Sequence, residues 1–170
     1  MKSVLLVLFL IAAVISVNAQ MDFKRKVEAG FLKYQYNIVD VDPGPDWKGY
    51  NLDNEQNGID INFIHGLSFK DKFMPAIGLG YLNFEGINGV SMFTDITYLP
   101  FETRINPFIN LKAGYNHIWN QYENGRGSGL GELGTGIHYK INKNIGGYLQ
   151  SGFLFTQQSF LIPIRIGVEF

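Results

Sequence analysis

The chain has 170 residues, 17% of them charged and 15% aromatic, with 20 glycines and no cysteine. That length suits one domain. The charged fraction is below the roughly 25% of a soluble domain, and the missing thiols exclude disulfides and cysteine-ligated metal. A formal net charge of −1, with no Lys/Arg run, gives no electrostatic basis for binding nucleic acid.

The N-terminus reads as an export signal. Lys2 supplies a positive start, Val4 to Val17 form an apolar run broken only by Ser16, and Val17-Asn18-Ala19 has the small or apolar residues of a signal-peptidase site. The run is about 14 residues, short of the roughly 20 that span a bilayer as a helix. No cysteine follows it, which excludes a lipoprotein. The expected division is a signal peptide over 1–19, cleaved after Ala19, and one β-domain over 20–170.

From there the chain alternates with a period of two, in segments of about ten residues separated by turn chemistry. The first segment, near 24–36, has the weakest phase, with Val27, Ala29 and Phe31 opposing Glu28, Gly30 and Tyr34. Residues 56–69 place Ile59, Ile61, Phe63, Leu67 and Phe69 against Gly58, Asp60, Asn62, Gly66 and Ser68, with Ile64 out of pattern. Ile77, Leu79 and Tyr81 follow, then Val90, Met92, Ile96 and Tyr98 against Ser91, Asp95 and Thr97. Ile109, Leu111, Ala113 and Tyr115 oppose Asn110, Lys112, Gly114 and Asn116. Leu133, Thr135, Ile137 and Tyr139 oppose Glu132, Gly134, Gly136 and His138. Leu149, Ser151, Phe153 and Phe155 precede a last segment carrying Phe160, Ile162, Ile164, Ile166, Val168 and Phe170. That makes eight strands, the even number a closed antiparallel meander needs when both termini lie on one side.

The links near 70–72, 100–104 and 142–144 are short; those at 37–55 and 118–128 are longer, while 85–89 and 157–159 are modest or tight. Short turns on one side and longer loops on the other fit a membrane barrel. The alternative, a soluble secreted lipid carrier, needs a charged outer row. Here the polar row is mostly Gly, Ser, Thr and Asn, which suits a narrow lumen. The apolar row is long and aliphatic, with aromatics near strand ends, as a lipid-facing band requires. Ile61, Leu79, Ile96, Leu111, Ile137, Phe153 and Ile164 are therefore expected to face lipid.

The segment Phe160-Leu-Ile-Pro-Ile-Arg-Ile-Gly-Val-Glu-Phe170 resembles the C-terminal strand of outer-membrane β-barrel proteins, with its terminal aromatic and alternating apolar residues. With the export signal and eight strands, the mature chain resembles the small OmpA/OmpX-type barrels, without a peptidoglycan-binding domain. The resemblance implies an all-β, eight-stranded antiparallel transmembrane barrel of up-and-down topology in the outer membrane. It also implies that Ile164, Ile166, Val168 and Phe170 are read by the barrel-assembly machinery.

The polar row places Glu28, Asp60, Asp95, Lys112, Glu132 and Arg165 in the lumen, with His138 and Glu169 lower down. Charges in a narrow interior are costly unless paired, so a network is expected, with Arg165 level with Asp95 and Glu28, and Lys112 nearer Asp60 and Glu132. A salt-bridged plug is the reading preferred over a channel or proton path. The stretch His138-Tyr139-Lys140 resembles the His-x-Ser of outer-membrane lipid A deacylases, but lysine stands in the serine position. No catalytic constellation, cofactor or metal site is expected, and His65 and His117 read as interfacial. The 37–55 loop, with Asp40, Asp42, Asp46, Asp53 and Glu55 around Trp47 and Tyr50, lacks EF-hand spacing. Trp47 and Tyr50 form a possible surface contact. The expected role is a closed, monomeric barrel that contributes structure or presents its loops; an adhesin acting through 37–55 is the alternative in another class.

Overall fold

The computed structural model describes residues 21–38, 56–119, 125–142 and 144–170. The expected signal peptide and most of the 37–55 loop, including Trp47 and Tyr50, lie outside the described residues. Eight antiparallel strands follow one another: β1 (Met21–Asn37), β2 (Gly58–Phe69), β3 (Phe73–Phe84), β4 (Ile87–Tyr98), β5 (Ile105–Trp119), β6 (Arg126–Lys140), β7 (Gly146–Thr156) and β8 (Ser159–Glu169). Each pairs with the next, and β8 pairs with β1 to close the barrel. The first strand starts a few residues earlier than its weak alternation indicates. Among the described residues no helix is long and apolar enough to cross a membrane.

The sheet is staggered. Phe73 is in register with Tyr98, then in turn Ile109, Thr135, Ser151, Ile164, Phe31, Ile59 and finally Asn83. One circuit thus returns to β3 ten residues above its start. Rows of registered residues therefore climb around the wall, as closure of a tilted sheet demands. Two turns at the loop end are tight, with positive φ at Glu85 (50°) and Gly86 (100°), and at Gln157 (50°) and Gln158 (60°). These match the turn class whose twist suits a hairpin. At the other end Lys70 and Asp71 have φ of 52° and 53°, and the Asn142 Oδ1 accepts hydrogen bonds from the N–H groups of Asn144 and Ile145, both at 2.8 Å.

Alternation puts the apolar row outside. The seven residues expected to meet lipid are all exposed, from 38% at Ile96 to 62% at Leu79. Ile64 departs from its strand's pattern because it points inward and is fully buried. Outward aromatics gather toward both ends. Phe23, Phe73, Tyr98, Tyr139 and Phe170 lie near the termini, and Tyr36, Tyr81, Tyr115, Trp119 and Phe155 near the loops. An exposed apolar belt of this extent is unstable against water and matches a bilayer core between two aromatic girdles. On the outward rows of the described strands the only charged side chains are Arg25 and Lys33, both on β1, one near each girdle.

Candidate functional site

The lumen is built from the inward halves of all eight strands, in layers. The middle layer is polar. Glu28, Asp60, Asp95 and Glu132 are buried there with Lys26, Lys112 and Arg165. Arg165 on β8 spans two carboxylates: its Nε and Nη2 each lie 2.8 Å from Asp60 Oδ2, and its Nη1 donates to Glu132 Oε1. Its Nε is also 3.6 Å from Glu28 Oε1. Lys112 reaches across from β5 to donate to Glu28 Oε1, and the Tyr148 hydroxyl donates to Glu28 Oε2 at 2.9 Å. Asn62 Nδ2 donates to both Glu28 (3.0 Å) and Asp60 (2.9 Å).

A second branch surrounds Asp95. Thr97 Oγ1 donates to its Oδ1 at 2.9 Å, Asn110 Nδ2 to its Oδ2 at 2.9 Å, and Lys26 Nζ lies 3.6 Å away. Lys26 also donates to Thr97 Oγ1 at 2.8 Å. Gln150 Nε2 joins the branches, donating to Glu132 Oε1 at 2.9 Å and Asn110 Oδ1 at 3.2 Å. One connected network thus holds Glu28, Asp60, Asp95, Lys112, Glu132 and Arg165, with His138 and Glu169 outside it, and the mutual pairing offsets the desolvation such burial costs. Asp60 Oδ1 and Glu132 Oε2 are the carboxylate oxygens in it left without a hydrogen bond.

The expected pairings inside this network are corrected. Arg165 does not meet Asp95; its partners are Asp60 and Glu132, with Glu28 beside them. Lys112 pairs with Glu28 rather than with Asp60 or Glu132. Counting residues from strand ends misplaces heights because registered rows climb with the stagger. The counter-ion of Asp95 is Lys26, on the inward phase of the ill-patterned first strand.

Toward the loops an apolar cluster fills the lumen beside buried Ser91, Asn116, Thr156, Gln157 and Ser159. Leu32, Tyr34, Leu82, Phe84, Ile118, Leu154 and Leu161 form a buried cluster, packed by Ile87 and Leu130. The sequence does carry its signal: Leu32, Leu82, Phe84, Ile118 and Leu154 sit on polar-row positions near the loop ends of their strands. Beside this cluster Gln157 Nε2 donates to Asn116 Oδ1 at 2.7 Å, tying the β7–β8 turn to the interior. Toward the termini Leu99, Phe108 and Tyr148 form a smaller cluster, with Phe108 and Tyr148 edge to face at 5.8 Å. The cavities within the polar layer and beside Tyr148 are each about 10 Å³, room for about one water at most.

Below, at the mouth on the terminal side, Lys24, Ser68, His138, Lys140 and Glu169 line a hollow of about 30 Å³. His138 Nε2 is 4.0 Å from Glu169 Oε1, and Lys24 Nζ is 3.6 Å from the same oxygen. Neither ring nitrogen of His138 has a hydrogen-bond partner, so Ser68, His138 and Glu169 share the mouth without forming a nucleophile–base–orienter chain. Among the described residues no group of three or more His, Cys, Asp or Glu side chains is placed to hold a metal ion. His65 stacks on Phe23 at 5.8 Å and His117 meets Trp119 edge to face at 5.1 Å, both outside the lumen. Ile164, Ile166, Val168 and Phe170 form an exposed outward row on and just beyond β8.

No protein-family model matches the chain, and no curated protein matches it. Solved structures do. Neisserial surface protein A is similar over 88% of this chain and 97% of its own, at 11% identity and a TM-score of 0.67. Ail, the attachment invasion locus protein of Yersinia pestis, is similar over 88% and 97%, at 13% identity and a TM-score of 0.47. The outer membrane protein OprG of Pseudomonas aeruginosa is similar over 87% and 95%, at 11% identity and a TM-score of 0.46. At such identities the likeness is one of fold: the chain is an eight-stranded, closed, antiparallel meander barrel of the kind found in small outer-membrane proteins.

Proposed function

We propose that this chain is an exported outer-membrane protein whose barrel is closed to water and ions, with a structural or loop-presenting role and no catalysis. The observation that carries the reading is the layered filling of the lumen. A connected polar layer lies under an apolar cap, with internal cavities of only about 10 Å³. A conducting pore needs a continuous wet path, and eight strands leave an interior that side chains can fill. The apolar belt and paired girdles support the membrane setting. The run Val4–Val17 supports export, with cleavage after Ala19 and the termini on the periplasmic side. The exposed row Ile164, Ile166, Val168 and Phe170 is proposed as the surface read during assembly.

Reconstitution of the folded chain into planar bilayers tests the closed reading. No resolved single-channel steps are expected, and a stable conductance at moderate voltage refutes it. The assembly role is checked separately: Phe170→Ala should lower the amount of heat-modifiable protein recovered from membranes, and normal recovery removes that role.

A further inference from the structure

The outer wall is not uniformly bulky. Across β3, β4 and β5 the outward positions Thr94 and Ala113 are small, whereas Met92 and Tyr115 rise on one side of them and Ile77 stands at their foot. The result is a trough of about 530 Å³ in the lipid-facing surface, within the roughly 300–1,000 Å³ of ordinary ligand sites. Behind it, Gly78 and Gly114 lie on the inward phase and leave room for the Phe93 ring. A Cβ on Gly78 would collide with the Phe93 ring, and one on Gly114 with Phe93 and the Met92 carbonyl. On the lumen side of the trough the Phe93 ring thus packs against bare backbone. The Thr94 hydroxyl donates to the Ala113 carbonyl at 3.0 Å, so the trough offers hydrocarbon no unsatisfied hydroxyl.

The register gives the trough a direction and a polar foot. Arg25 is aligned with His65, His65 with Ile77, Ile77 with Thr94, and Thr94 with Ala113. This is one row, climbing from the terminal end toward the loops. From His65 to Ala113 it crosses three strand spacings, about 14 Å along the tilted wall. Arg25 is exposed, and its guanidinium has no partner among the described residues. It stands level with Phe170, with which it exchanges backbone hydrogen bonds of 2.8 and 2.9 Å. Next to it, His65 forms one wall of the trough.

We infer that this wall binds one glycerophospholipid of the periplasmic leaflet, its phosphate at Arg25 and His65 and one acyl chain lying in the trough over Thr94 and Ala113. The inference rests on the membrane reading above. The charge match selects the occupant. A cation that must stay protonated sits at the foot of an uncharged channel, and a phospholipid pairs an anionic phosphate with an apolar chain in that order. A second copy of this protein would place its own apolar belt over Arg25 and leave that charge without an anion.

Native mass spectrometry of the mature chain folded in detergent with palmitoyl-oleoyl phosphatidylglycerol tests this. One retained lipid per barrel is expected, with retention falling about tenfold, the equivalent of one lost charge-assisted bond, in Arg25→Gln and in the trough-filling Ala113→Phe. Ile137→Phe, on another part of the wall, should retain it. Dioleoylglycerol, which lacks the phosphate, should not be held. Equal retention by Arg25→Gln or Ala113→Phe overturns the site, as does equal retention of dioleoylglycerol or loss in Ile137→Phe. A dimer abolished by Ala113→Phe would also overturn it, by assigning the face to a second copy. Heat-modifiable migration of the same samples reports folding and the membrane-barrel reading independently, so a failure of that reading is not mistaken for a failure of the site.

Discussion

The polar layer and the apolar cap fill neighbouring heights of one lumen by different physics. In the polar layer Arg165, Glu28, Glu132 and Asp60 depend on a few directed contacts, so removing one member strands its partners in a medium that cannot solvate them. In the cap Leu32, Phe84, Leu154 and Leu161 hold one another through area and shape, so losing a side chain costs in proportion to the space left behind. The layer fixes which residues may sit opposite one another; the cap excludes water whichever apolar residues supply it. A barrel that needs both a unique register and a dry interior uses each where the other is weak.

The largest effect should come from breaking the layer at its hub. Arg165→Met is expected to destabilise the barrel by about 3–5 kcal/mol, the usual cost of unpairing buried charges, measured by reversible unfolding in detergent or lipid. A loss under about 1 kcal/mol would mean the carboxylates are solvated, and the layer would not differ in kind from a wet pore. In the cap, Leu161→Ala should cost about 2–5 kcal/mol without opening conductance, since the polar layer still blocks the path. Conductance in that variant would make the cap the only seal.

A sharper test lies within the layer. A cycle of Arg165→Met with Glu132→Gln should show coupling of about 0.5–3 kcal/mol. The same cycle with Asp95→Asn should show less, because Asp95 answers to Lys26 (3.6 Å). Equal coupling would dissolve the two branches into one. The smallest effect belongs to charges outside the lumen. Lys72 and Glu102 pair at 3.0 Å with 41% and 67% of their side chains exposed, and Lys72→Ala should cost less than about 1 kcal/mol.

The same contrast explains what was legible beforehand. Period-two alternation is a local property, and it placed Ile61, Leu79, Leu111 and Ile137 outward and Glu28, Asp60, Asp95, Lys112, Glu132 and Arg165 inward. Pairing across the lumen depends on stagger, which no single strand records. Strand-by-strand counting therefore sets Arg165 level with Asp95 and Glu28, and Lys112 nearer Asp60 and Glu132, whereas the closed wall brings Arg165 to Asp60 and Glu132 with Glu28 beside them, and Lys112 to Glu28. Lys26 carries no comparable signal because the first strand's apolar phase is weak. The cap residues Leu32, Leu82, Phe84, Ile118 and Leu154 sit on polar-row positions, so alternation alone gives no sign that they gather into a second, apolar cluster. The trough is invisible in any one strand for another reason. Thr94 and Ala113 are unremarkable alone and become a depression only when register sets them side by side.

The seam between β1 and β8 has a consequence for the order in which the barrel forms. Every other strand pair joins neighbours in the chain, whereas this one joins the two ends, for instance Lys26 with Glu169. Such a distant contact bears the greatest loop-closure entropy and is expected to form late. Arg165 rides on the last strand, and its neighbour Glu28 on the first. Until the ends meet, a partly zipped sheet holds an arginine and a glutamate apart, both facing whatever fills the unclosed curl. Until then Arg165 has Glu132 of β6 but lacks Asp60 and Glu28 of β2 and β1. Under-paired charges resist hydrocarbon, so an open sheet is disfavoured within the bilayer relative to the finished cylinder. The buried ions thus act as a proofreading step, rewarding the chain only once its two ends have found each other in the correct alignment.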